Sequence, residues 1–193
     1  MDGINGITGG YSLVVLLSLA YINEEVTPFV EQDLIYTVIM SVLVFCFFNF
    51  RKKARCFAGD VGSVSIAFIL LFLLGKLIIQ TGDFSWIILL SVYGVDSVLT
   101  IFHRLMLHEN IGLPHRKHLY QLMANELRIP HVAVSVIYMV LQFLIVAGLL
   151  WLPVDHWVYF FTVIGGLAVI YIICMYRYYP LHETYLKQQN IIK

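Results

Sequence analysis

Of the 193 residues, 60% are hydrophobic and 12% are charged, giving a mean hydropathy of +0.84, whereas about 25% of an average soluble domain is charged. That composition excludes an ordinary soluble enzyme, and 12 Lys and Arg against 12 Asp and Glu leave no net basic charge with which to bind nucleic acid. Lipid cannot satisfy the edge of an open sheet, and a barrel needs short alternating strands, so the expected class is all-α: a polytopic integral membrane helical bundle of about six transmembrane helices, one domain over residues 1–193.

The chain opens on Met1-Asp2-Gly3-Ile4-Asn5-Gly6-Ile7-Thr8-Gly9-Gly10, which lacks the basic start of a signal peptide. Its glycines permit close approaches that side chains block. Asp2 and Asn5 offer oxygens to a hard cation or hydrogen bonds to a sugar, and a flexible turn explains the same residues equally well. The first apolar run, Tyr11 to Ile22, is the weakest. It reaches the roughly 17 to 25 residues that cross a bilayer only by starting near Ile7 or by continuing into the acidic stretch Asn23 to Asp33.

The second run, Leu34 to Phe50, ends on Arg51, Lys52, Lys53 and Arg55, followed by Phe57-Ala58-Gly59-Asp60-Val61-Gly62-Ser63. Taken singly, Asp60 reads as a helix cap and the basic run as a topology anchor. Taken together they read as cations, Arg51 and Lys53 among them, for a diphosphate, a carboxylate for Mg²⁺ and, in Phe57, a stacking face for a base. The third run, Val61 to Ile79, contains Lys76, expected to snorkel to the interface. The fourth, Phe84 to Phe102, contains Asp96, expected to serve as a buried hydrogen-bonding group.

A long polar segment follows, with Pro114-His115-Arg116-Lys117-His118-Leu119-Tyr120-Gln121 at its centre. On one helical turn His115 and His118 face the same way, and with Arg116 they would grip phosphate oxygens. A zinc site is poorly supported, because two His leave the tetrahedral set incomplete. The last runs are Val132 to Leu152 and Trp157 to Tyr176. The three cysteines, Cys46, Cys56 and Cys174, lie in or beside runs and are expected to pack as small apolar residues.

Of the 12 basic residues, 11 fall in the segments 51–60, 103–130 and 177–193, the exception being Lys76. The other loops carry acid and no base, so the basic segments are expected in the cytoplasm.

These residues resemble the polyprenyl-phosphate N-acetylhexosamine-1-phosphate transferases, glycosyltransferase family 4, which includes the enzymes forming peptidoglycan lipid I and initiating O-antigen or teichoic acid. Met1 to Gly10 is similar to the family's Asp-Gly-(Leu/Ile)-(Asp/Asn)-Gly motif, Phe57 to Ser63 to its Phe-x-Gly-Asp-x-Gly-Ser motif, and His115 to Gln121 to its histidine motif. The resemblance implies a bacterial inner-membrane enzyme that moves a HexNAc-1-phosphate from a UDP-sugar to undecaprenyl phosphate, with Mg²⁺ or, in its place, Mn²⁺, and a homodimeric assembly. It casts Asp60 as the metal-binding catalytic aspartate, Asp2 and His118 as further catalytic groups, Phe57 as a neighbour of the uracil ring, and Asn5, His115 and Arg116 as substrate-binding residues, to which the reading of the basic run adds Arg51 and Lys53.

Asn5 departs from the Asp of many relatives. His-Arg-Lys-His departs from the three consecutive histidines of the lipid I enzyme, which favours a GlcNAc-type branch. The resemblance covers the C-terminal half of a fold with ten or eleven spans, and the family's adjacent Asp-Asp pair is not in the sequence. The chain alone is therefore expected to be inactive. The rival readings are a noncatalytic or split subunit that binds the UDP-sugar, and a small transporter using Lys76 and Asp96 as pathway charges.

Overall fold

The computed structural model describes residues 3–112 and 116–188, with side chains described as far as Pro180. Among these residues the ordered elements are helical. In chain order they are α1 (Ile7–Tyr21, continued by a π-helical turn over Ile22–Val26), α2 (Gln32–Asn49), α3 (Gly59–Thr81), a 3₁₀ segment (Phe84–Leu90) running into α4 (Ser91–Met106), α5 (Leu119–Asn125), α6 (His131–Trp151) and α7 (His156–Gln188). Six spans are long and apolar enough to cross a membrane, and each contains one of the six apolar runs to within a residue or two. The weak first run gains length at both ends, giving a span of Ile7–Val26.

That first span has the lowest mean hydropathy of the six and is 72% buried, against 22% for α2 and for α3. It packs mainly on α2 and α6. Gly9 and Gly10 make the approach feasible: a Cβ on Gly9 would lie 2.6 Å from Cys46 Sγ on α2, and one on Gly10 would lie 2.5 Å from Met139 Sδ on α6. Without a hydrophobic drive between helices in lipid, small residues at the contact are what permit tight packing. These two glycines therefore belong to a helix interface and not to a flexible turn. The apolar side chains left exposed on α3 and α7, such as Val61, Phe68, Ile79, Phe161 and Ile173, form surfaces suited to hydrocarbon.

A polar lock joins α1, α4 and α6 in the middle of the bundle. The buried Gln142 of α6 accepts from the Tyr11 hydroxyl at 2.7 Å and from the Val92 N–H at 3.2 Å, and donates to the Ile88 carbonyl at 3.0 Å. Ile88 and Val92 flank the change from 3₁₀ to α geometry, where the regular backbone ladder is interrupted. One side-chain amide thus serves the Val92 N–H and adds a second donor to the Ile88 carbonyl, which also accepts from the Ser91 N–H, and the Tyr93 N–H closes the set on Tyr11 Oη at 3.4 Å.

The helices alternate in direction, so the bundle has two unlike ends. At one end acids serve as caps: Asp83 accepts from the Ser85 N–H at 2.8 Å and meets His156 Nδ1 at 3.1 Å, and Asp155 accepts from the Trp157 N–H at 2.9 Å. Lys76 is exposed on α3 little more than a turn before the helix ends at Thr81, the placement of a lysine that reaches the interface along its stem. The other end gathers residues 3–6, the α2–α3 loop and the segment between α4 and α6.

Candidate active site

Asn49, the last residue of α2 and 6% exposed, ties two motif segments together. Its Oδ1 accepts from the Gly6 N–H at 2.8 Å, and its Nδ2 donates to the Cys56 carbonyl at 2.8 Å. Asn5 extends the junction. Its amide nitrogen donates to the carbonyls of Arg51 at 3.1 Å and Lys52 at 3.3 Å, its backbone N–H donates to His131 Nδ1 at 3.4 Å, and its carbonyl accepts from Ser135 Oγ at 2.9 Å. The result is an open recess of about 890 Å³ walled by Asn5, Phe50, Arg51, Lys52, Pro130 and His131, with neighbours on α6.

Sequence reasoning passed over His131. The signal was available: it opens α6 immediately after Pro130, at the end where the other motifs lie. Arg51 folds back, its Nε donating to the Phe47 carbonyl at 2.7 Å and its guanidinium lying 4.6 Å from the Phe47 ring centre. Lys53 is exposed on the same loop.

The α2–α3 loop enters α3 through Gly59, whose φ of +60° is a conformation that other residues adopt only with strain. The N-cap position falls on Ala58, and Asp60 sits exposed in the first helical turn. Asp60 is therefore not the cap, although the unpaired N–H groups of a first turn favour a carboxylate there. Phe57, 67% exposed, stands at the mouth of an apolar groove of about 360 Å³ between α1, α2 and α3, lined also by Gly9, Phe45, Ala58, Gly62 and Ile66.

The histidine segment differs from expectation. Residues 116 and 117 are not helical, and His118 is the extended residue that precedes α5 (φ −63°, ψ 146°). His115 itself, like Asp2, lies outside the described residues. The His118 ring stacks on Tyr120 (centroids 5.4 Å apart, planes at 15°) and on Tyr93 (6.3 Å, 26°), and its Nδ1 is 3.6 Å from Asp96 Oδ1. Helix α5 also abuts the first motif, since a Cβ on Gly3 would lie 2.8 Å from Gln121 Nε2. Arg116 is exposed beside it. Among the described residues, no three His, Cys, Asp or Glu side chains converge as a metal-binding group.

Two other bases of this segment are structural. Arg104 (2% exposed) donates to Glu109 at 3.2 Å and to the Asn110 carbonyl at 2.6 Å, while Lys117 pairs with the other Glu109 oxygen and donates to Tyr179 Oη at 3.1 Å. Partial burial pushes the Glu109 carboxyl up, but hydrogen bonds from Lys117 and Arg104 outweigh it and hold the group below its ordinary 4.5. Partial burial likewise pushes Lys117 down, and its bonds to Glu109 and Tyr179 raise it above 10.5.

The depressed acid contributes stability above its unfolded value, and that contribution is lost as pH falls through the folded pKa. The raised base contributes below its unfolded value and loses it as pH rises through the folded pKa. The clasp is therefore complete at neutral pH, and proteolytic nicking of the 107–112 loop is expected to increase once pH drops below the ordinary glutamate range. Glu109→Gln should show the faster nicking at neutral pH and little further acid response. An unchanged acid transition in that variant would assign it to another group.

Comparisons with known proteins cover most of the chain. The model of the family described as "Glycosyl transferase family 4" matches residues 1–79, the stretch that carries Asn5, Arg51, Phe57 and Asp60. A curated relative, the "Probable undecaprenyl-phosphate N-acetylglucosaminyl 1-phosphate transferase" of Bacillus subtilis (strain 168), is 32% identical over 146 residues, which cover 72% of this chain and 40% of the relative. The chain belongs to glycosyl transferase family 4. No solved structure matches it. This family 4 chain is thus a multi-pass membrane protein that spans 40% of the length of the curated relative it matches.

Proposed function

We propose that the protein carrying this chain transfers a HexNAc-1-phosphate, GlcNAc-1-phosphate by preference, from a UDP-sugar to undecaprenyl phosphate with release of UMP, at the cytoplasmic face of a bacterial inner membrane. The observation that carries this reading is the meeting, at the basic end of the bundle, of Asn5, the Arg51–Lys52 backbone and His131 around one recess, with α5 against Gly3 and with Asp60 in the first turn of α3, next to the Phe57–Ala58 edge of an apolar groove. The printed name of the Bacillus subtilis relative supports it.

The location follows from the substrates. A long isoprenoid stays in the bilayer, a nucleotide dianion stays in water, and their reaction belongs where helix ends meet both. The groove beside Phe57 suits the apolar chain, and the recess that has Arg51, Lys52 and His131 in its wall suits the diphosphate. Attack of the lipid phosphate oxygen on the β-phosphorus forms one P–O bond and breaks the bond to the α-phosphate, with UMP taking the electron pair. Negative charge then builds on the phosphoryl oxygens, so catalysis of this kind is mostly positioning and charge stabilisation.

His118 and Arg116 would stabilise those oxygens by charge-assisted hydrogen bonds, and Phe57 would stack on the base. Asp60 fits a single-carboxylate Mg²⁺ site, because it is exposed at a helix start and Mg²⁺ ordinarily takes one or two carboxylates with phosphates and water completing its shell. Bound there, the ion would neutralise diphosphate charge.

The test is UMP release from UDP-GlcNAc and undecaprenyl phosphate by the full-length protein in detergent. His118→Ala is expected to lower turnover about 30-fold, the worth of one charge-assisted hydrogen bond. Arg51→Ala should cost no more than about threefold, since its side chain is engaged with Phe47 and an interfacial cation among several is replaceable. Failure to release UMP from any UDP-HexNAc would reject the reading.

A further inference from the structure

Asp96 is 3% exposed on α4, and among the described residues its carboxylate accepts from four neutral donors. The Leu119 N–H reaches Oδ1 at 2.9 Å and the Tyr120 N–H reaches Oδ2 at 3.4 Å. Tyr138 Oη donates to Oδ2 at 2.8 Å, and Thr100 Oγ1 donates to Oδ1 at 3.2 Å. Leu119 and Tyr120 are the first two residues of α5, so α4 supplies the cap acceptor for a helix that starts 23 residues later. Capping alone does not need a charge, since Asn and Ser cap as well as Asp, and a buried carboxylate costs several kcal/mol in desolvation.

The group that makes use of the charge is His118, whose Nδ1 lies 3.6 Å from Asp96 Oδ1 while Tyr93 and Tyr120 stack on its ring. We propose that Asp96 is a positioning residue for the transfer reaction: it anchors the start of α5 and orients the His118 imidazole through its contact with Nδ1. Nothing in the arrangement requires Asp96 to touch substrate. The proposal rests on the transferase reading only for its activity readout.

Asp96→Asn in the full-length protein is the test, because it keeps the shape and one acceptor while removing the charge. Amide exchange at Leu119 or Tyr120 should accelerate about tenfold, at whichever N–H meets the new amide nitrogen where it had a carboxylate oxygen. Carbethoxylation of His118 by diethyl pyrocarbonate, read by mass spectrometry, should also become faster. Turnover should fall about tenfold, as for a misplaced catalytic group, and the same substitution in a His118→Ala background should cost less than about twofold. A purely structural role would instead give losses that add.

Unchanged exchange and unchanged modification of His118, or additive losses, would overturn the proposal. If the wild type releases no UMP, the transferase reading fails, and exchange and modification still decide the role of Asp96. If Asp96→Asn does not fold, Tyr138→Phe, which removes only one bond to Oδ2, should move the same readouts in the same direction. No movement there would equally overturn it.

Discussion

Asp60→Asn is expected to abolish metal-dependent UMP release, a loss of about a thousandfold or more, because several kcal/mol of charge stabilisation at the diphosphate leave with the carboxylate. Thermal unfolding should not change measurably. Asp60 is exposed, the N-cap position falls on Ala58, and the hydroxyl of Ser63 bonds to the backbone oxygen of Asp60 and not to its side chain. Surface substitutions at such positions stay within about 0.5 kcal/mol. Chemistry and folding are thus separable at this residue. Titrating MgCl₂ against UMP release in both proteins checks the expectation, and a variant with normal turnover at low Mg²⁺ would remove Asp60 from the metal site.

Gln142→Leu is expected to destabilise the bundle by about 3 kcal/mol, read as a shift in the denaturant midpoint in micelles, although leucine is the better residue for lipid. The amide serves Tyr11, Val92 and Ile88 at once. A single interhelical hydrogen bond in a membrane averages only about 0.6 kcal/mol, but leaving buried partners unsatisfied costs about 1–3 kcal/mol each. Hydropathy alone predicts the opposite sign, so the experiment separates the two effects. Tyr11→Phe, which leaves Gln142 with its two backbone partners, should cost about 1 kcal/mol. Equal stability of Gln142→Leu and wild type would show that solvent or lipid rearrangement satisfies the 3₁₀–α junction.

The spans were legible because lipid imposes one rule on every helix, and apolar length reports it directly. Even the shortfall of the first run pointed to its remedy, an extension at one end or the other, and the helix takes both. Lys76 lies exposed little more than a turn from the end of α3, the position that its depth in the run gave it.

Roles set by distant partners were not legible. Asn5 reads from its motif as a ligand, yet its amide is committed to the carbonyls of Arg51 and Lys52 across 46 and 47 residues. His118 reads as one face of a helical turn, but a carboxylate on α4 fixes the start of α5 just beyond it. Asp96 could be read as a hydrogen-bonding group, while its partners could not be named. Gln142 drew no notice because one amide in a long apolar run looks like noise until the junction it closes is seen.

The interior position of α1 bears on how the protein is made. Its polar atoms find their partners far along the chain: Tyr11 waits for Tyr93, 82 residues on, and for Gln142, 131 residues on. At about 5–20 residues per second of synthesis, the second wait lasts roughly 7 to 26 s. During that time the least apolar of the six spans has no α6 to cover it. Biogenesis therefore passes through a half-assembled stage, in which these polar atoms of α1 lack their α4 and α6 partners until the last but one span arrives.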